Sequence, residues 1–388
     1  MRLPFVPLLL LLPSACSSSY EVGRFDASGG SGGSNTGGAA GAVIALAPFV
    51  SRLALGSQSS CVLDGTDVRC FGGNQVGELG VGDENLGSST QPLLVGNLNG
   101  GARAVFAGAV AHCALMSDRR AWCWGDSVFG QYRGLGSVHA IAFAPLEAPG
   151  LSTLAQLALG TYFHCALDAN GGVACYGLNS AGQLGNGSLQ DEFAPAKVIG
   201  LGPARYVSAS MAGFFACAVL ADRSVSCWGA NDRGQLGNGS TVDASLPVAV
   251  LGLSFEASAV AAGRQHACAT GEGKIACWGA NDRGQLGVGV GADRTTAVEV
   301  VGVPGPASIA AGRVHSCART DAGTIYCWGS TDSGSSPTGP KQVVDGGAVE
   351  VAAGGGHSCA LLQGDVLRCW GDGSTGQLGL YAGAGAPL

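Results

Sequence analysis

Charge is scarce in this chain: charged residues make up 12% of its 388 positions, and 27 acidic against 20 basic side chains leave a formal charge of −7. That balance supplies no basic face for nucleic acid or anionic lipid. No helical period of useful length runs through the body of the sequence, which argues against a helical domain. The apolar run in MRLPFVPLLLLLPSAC is far too short to cross a bilayer as a helix. Cysteine spacings of two to four residues, which zinc and catalytic redox sites need, do not occur. Acids are scattered over turns (Asp64, Asp118, Asp168, Asp222, Asp321) instead of gathering into one convergent set, as a hydrolytic site would require.

What the chain has is glycine, 67 residues of it, with a high apolar content, which marks a turn-rich folded chain and not a disordered one. It also has a repeat. Residues 266–287, HACATGEGKIACWGANDRGQLG, recur in variant form at 217–237, 315–329 and 357–371. The first cysteines of the units are Cys61, Cys113, Cys165, Cys217, Cys268, Cys317 and Cys359, at intervals of 52, 52, 52, 51, 49 and 42 residues. The second cysteines, Cys70, Cys123, Cys175, Cys227, Cys277, Cys327 and Cys369, follow nine or ten positions later. Seven units of one period predict a single closed body and not several domains.

The N-terminus reads as a secretory signal over 1–15, and its Ser14-Ala15-Cys16 ending resembles a lipoprotein cleavage box with Cys16 as the lipid-bearing residue; Pro13 stands where that box usually has leucine. Residues 16–41 then read as the attachment cysteine and a Gly/Ser-rich disordered tether, and 42–388 as the folded body. Ordinary cleavage nearby, giving a secreted protein, is the alternative. Behind a secretion signal the paired cysteines read as disulfides, Cys61–Cys70, Cys113–Cys123, Cys165–Cys175, Cys217–Cys227, Cys268–Cys277, Cys317–Cys327 and Cys359–Cys369.

Within 247–287, four short apolar runs (PVAVLGL, ASAVAAG, HACAT, KIACWG) are separated by turn residues. Short strands at even spacing, with a glycine and an aromatic mark in each unit, predict an all-β, seven-bladed β-propeller of four-stranded blades. Two-residue hairpin loops fall at Gly65-Thr66 and Glu272-Gly273, and the other five units, one residue longer, call for a three-residue or bulged turn. This register puts the cysteines opposite each other at the closely spaced, non-hydrogen-bonded sites. His266, His315 and His357, with His112 and His164 one place later, recur once per unit and drift in position, which suits hydrogen-bonded strand-start histidines better than metal or catalytic ones. The ring after the second cysteine (Phe71, Trp124, Tyr176, Trp228, Trp278, Trp328, Trp370) is the expected filler between blades. Asn74, Asn179, Asn231 and Asn281 read as turn formers.

GGGHSCAL at 354–361 and Trp-Gly-x-Asn-x-x-Gly-Gln-Leu-Gly-x-Gly at 228–239 resemble the regulator of chromosome condensation repeat, over roughly residues 42–379. The resemblance implies a ring closed by pairing of N- and C-terminal strands, and 42–56, which parallels 247–263, can supply strands that the last unit lacks. The second and sixth units depart from the pattern after their Trp-Gly. The expected function is a non-catalytic, surface-tethered scaffold that binds a protein or other extracytoplasmic ligand through loops on one face, without cofactor or metal and as a monomer. Asn231, Asp232, Arg233, Asn281, Asp282 and Arg283 are candidate exposed rim loops. The alternatives are guanine-nucleotide exchange on a small GTPase, and a hydrolase or lyase site in the central channel.

Overall fold

The computed structural model describes residues 19–24, 51–98, 100–126, 141–148, 151, 153–330 and 339–379. The signal sequence, Cys16 and residues 25–41 of the expected tether lie outside the described residues. Twenty-eight strands form seven four-stranded antiparallel sheets, arranged as the blades of a ring. The blades span 53–94, 102–147, 154–197, 204–249, 259–299, 306–344 and 348–371, the last with one strand from elsewhere. In the fifth, the order from the axis outward is Ala259–Ala262, His266–Gly271, Lys274–Gly279 and Arg294–Glu299.

Closure differs from expectation in its strands. Leu53–Leu55 is the inner strand of the first blade, not a donation to the last. The missing outer strand of the seventh blade is Ser19–Arg24, which pairs antiparallel with Val366–Gly371. Those six residues fall inside the stretch read as tether. Their pairing removes the edge that Val366–Gly371 would otherwise expose.

The hairpins behave as their loops dictate. Asp64 pairs with Asp67 around Gly65-Thr66, and Gly271 with Lys274 around Glu272-Gly273, whose φ angles are +51° and +69°. Longer turns place Arg119, Arg223 or Asp365 at positive φ. Each cysteine faces its partner, with Cα atoms 4.0–4.1 Å apart, and all seven pairs are disulfide-bonded. Seven closed disulfides place the folded chain in an oxidising, extracytoplasmic environment.

The core lies between blades. One cluster joins Phe106 and Leu115 of the second blade to Leu154, Leu157 and Tyr176 of the third, and another joins Leu53, Val62 and Phe71 of the first to Leu367 and Leu378 across the closure. The Trp-Gly and Gly-Gln-Leu-Gly marks work as a pair. Trp228, Trp278 and Trp328 are fully buried, and each donates from Nε1 at 2.9–3.0 Å to the Gln183, Gln235 or Gln285 carbonyl of the preceding blade. The last glycine of the preceding motif lies flat on the indole: a Cβ at Gly237 would sit 2.9 Å from Trp278 Cδ1. The shortened sixth blade has no Gly-Gln-Leu-Gly, and Trp370 of the seventh is accordingly only half-buried.

Candidate functional site

Antiparallel strands alternate direction, so the inner-to-second connections (263–265, 312–314) and the long third-to-outer connections (230–243, 280–293) open on one face of the ring. Backbone bonds link the short loops from blade to blade: Ser57 N to Ala109 O at 2.8 Å, Gly355 N to Gly56 O at 3.1 Å and Arg313 N to Gly354 O at 3.2 Å. The face therefore rests on a rigid inner rim.

Directly beneath it lie the histidines. His266 Nε2 meets Ser316 Oγ of the next blade at 3.0 Å, His315 meets Ser358 at 2.8 Å, and His357 meets Ser60 at 2.9 Å across the closure. His112 makes the same bond in the reverse direction, to Ser59 at 2.8 Å. Ser316 and Ser60 donate their own protons to the Gln285 and Gln377 carbonyls, so each hydroxyl accepts and the histidine carries its proton on Nε2. Burial lowers His112, His164, His266 and His357 to about 3, which keeps them neutral. Through their serine bonds His112, His266, His315 and His357 stitch blades together.

The inner strands line a central cavity of about 690 Å³. Its one carboxylate among the described residues, Glu350, accepts from Ser51 Oγ at 2.8 Å and from the Arg52 and Leu53 amides at 3.0 and 3.4 Å. Burial raises its pKa, and those donors oppose the rise. Gln156, at the equivalent strand position, exchanges two bonds of 3.1 Å with the Val207 backbone of its neighbour. Beside it Tyr206 is pushed up to about 12 by burial. Glu350 and Gln156 are thus occupied in joining blades.

The six candidate rim residues divide. Asn231 and Asn281 are buried, contrary to their expected exposure, because their side chains organise the loops. Asn231 Oδ1 accepts from Leu236 N at 2.9 Å, and Nδ2 donates to the Ser240 and Val242 carbonyls at 3.1 and 3.0 Å. Asp232, Asp282 and Arg283 are exposed. Arg233 grips Asp293 of the next blade through Nε and Nη2, the latter at 3.0 Å. Sequence reasoning missed the arginines of the short inner loops, Arg264 and Arg313, which stand beside Arg283 around a hollow of about 340 Å³. The signal was available, since both follow the recurring glycine of Gly-Arg-x-His in adjacent units.

Family models described as the regulator of chromosome condensation (RCC1) repeat match residues 224–270 and, in a second form, 102–131, 257–285, 307–335 and 348–377. The chain belongs to the RCC1 repeat family. Among curated relatives of this RCC1-repeat propeller, human E3 ubiquitin-protein ligase HERC2 is 29% identical over 217 residues, 54% of this chain but 4% of HERC2. The ultraviolet-B receptor UVR8 of Arabidopsis thaliana is 30% identical over 187 residues, 47% of this chain and 42% of UVR8. The matched segments thus span less than half the length of either. Among solved structures, Prp20p of Saccharomyces cerevisiae, which binds Gsp1p and histones, superposes with a TM-score of 0.69 at 22% identity, covering 85% of this chain and 82% of Prp20p. Human WBSCR16 gives 0.67 at 21%, covering 84% and 87%. These likenesses establish the RCC1 fold.

Proposed function

We propose that this protein is a non-catalytic scaffold, tethered to a membrane surface through Cys16, that presents the loop face of its propeller to a protein or other ligand outside the cytoplasm. The observation that carries the reading is the disulfide in every blade: a body stapled seven times suits an oxidising compartment. The early apolar run ending in Ser14-Ala15-Cys16 supports delivery to that compartment, with the one cysteine outside the blade pairs as the lipid acceptor. RCC1-repeat relatives support a binding role, since Prp20p binds protein partners.

Fractionation of the wild-type and Cys16→Ser proteins tests the tether. The wild type should partition with membranes as a chain that begins at an acylated Cys16, and the variant should move to the soluble extracytoplasmic fraction. Identical partition of the two would remove the tether from the account.

A further inference from the structure

We infer that the loop face of the propeller is turned toward the bilayer that holds Cys16, so that a lipid surface lies opposite it. The inference rests on the lipid-anchored scaffold proposed above and deepens it, because it says which face the anchor brings nearest the membrane.

Chain order sets the length of the attachment. The Gly/Ser-rich residues follow Ser19–Arg24 in the sequence, so they join the seventh blade to the first and add nothing between Cys16 and the fold. Only Ser17 and Ser18 separate Cys16 from the strand. Three Cα-to-Cα steps reach at most about 11 Å when fully extended.

Strand register sets the side from which the attachment leaves. Val366–Gly371 is the third strand outward in its blade and runs up into 372–379, the seventh counterpart of the long loops 230–243 and 280–293. Ser19–Arg24 runs antiparallel to it, with Ser19 opposite Trp370 and Arg24 opposite Val366. Ser19 therefore stands at the loop-face end of the blade's outer edge, and Arg24 at the far end. The strand itself covers about 17 Å, at about 3.4 Å per residue. A linker of about 11 Å cannot run back over that depth, so the opposite face cannot rest on the membrane that holds Cys16.

The loop face also has apolar side chains to set against lipid on the other side of the ring. Leu189 and Val242 are exposed in the long loops of the third and fourth blades, directly across from the seventh, and Val290 in that of the fifth. Phe214 is exposed on the short inner loop of the fourth. An anchor at one blade and apolar contacts at the blades opposite would lay the face along the headgroups. The far face has exposed apolar side chains too, Ile199, Leu251 and Val301, so hydrophobicity does not choose between the faces; the attachment does. Ligands within reach of the loop face are then those held at the same membrane.

The test uses the full-length lipidated protein in phosphatidylcholine vesicles whose lipid head groups carry nitroxide quenchers. A fluorophore is attached at Val242→Cys on the loop face or at Val301→Cys on the opposite face, positions of nearly equal exposure at 71% and 73%. The faces differ in depth by about 17 Å, so the Val242→Cys label should be quenched about threefold more than the Val301→Cys label. A long Gly/Ser segment inserted after Ser18 should level the two signals and leave flotation with the vesicles unchanged. Equal quenching of the two labels on the native linker, or stronger quenching at Val301→Cys, would overturn the orientation while flotation still upheld the anchor. Failure of the protein to float, matching Cys16→Ser, would overturn the anchor and the orientation together.

Discussion

Acidification should unfold this propeller in a window set by its buried histidines. His112, His164, His266 and His357 are completely buried, with pKa values lowered to about 3 by desolvation, against about 6.5 in the unfolded chain. A group with a depressed histidine pKa stays neutral in the fold while the unfolded form takes a proton. Its contribution is therefore fully present above about pH 6.5 and is lost progressively as pH falls toward about 3. Each pH unit in that window costs about 1.4 kcal/mol per histidine. At pH 5 the cost is about 2 kcal/mol each and about 8 kcal/mol for the four, and it is the same for any folded value below about 4. Glu78 and Glu350 act in the opposite sense, since burial raises both and their protonation relieves the fold as pH falls above the unfolded carboxylate range. Two such groups oppose four histidines. Scanning calorimetry from pH 7.5 to 5.0 should show Tm falling by up to roughly 15 °C, at about 2 °C per kcal/mol for a large domain, less what the two carboxyls give back. Linkage analysis should give a net uptake of about two to four protons on unfolding at pH 5, four from the histidines less those that Glu78 and Glu350 release, and His266→Gln should lower the uptake by about one. A Tm that is flat between pH 7 and 5 would refute the claim that these side chains are neutral and sealed between blades.

Three further outcomes follow from the packing. Cys317→Ser with Cys327→Ser should lower stability by about 2–3 kcal/mol in denaturant titrations, the loop-entropy value for a bridge of ten-residue separation. Trp228→Ala should cost about 3–5 kcal/mol, whereas Trp370→Ala, at a half-buried site without the preceding Gly-Gln-Leu-Gly, should cost clearly less; equal costs would contradict the account of the two motifs as one clasp. Deleting 19–24 should lower Tm and promote self-association through the uncovered Val366–Gly371 edge, visible by light scattering.

Much of the architecture could be read from the residues because the repeat exposes its own periods. The cysteine intervals count the blades, and Gly65-Thr66 and Glu272-Gly273 set the hairpin register that brings Cys61 to Cys70 and Cys268 to Cys277. Contacts between repeats were harder to see. Trp278 bonds the carbonyl of Gln235, 43 residues earlier, and His357 meets Ser60, 297 residues away; neither relation leaves a local pattern. Asn231 looked like a surface turn former because its loop is polar, but its amide is buried as the loop's organising centre. Ser19–Arg24 was hidden for another reason: SYEVGR is short and lies against a Gly/Ser-rich stretch whose composition dominates any window around it. Only strand pairing with the far end of the chain reveals it.

The central claim, an extracytoplasmic ring with a disulfide in every blade, is tested most directly by the intact mass of the native protein, alkylated before and after reduction. The account predicts no alkylation before reduction and fourteen modified thiols after it, on a chain processed to an acylated Cys16. An unprocessed chain that takes up fourteen or fifteen alkyl groups without reduction would contradict it.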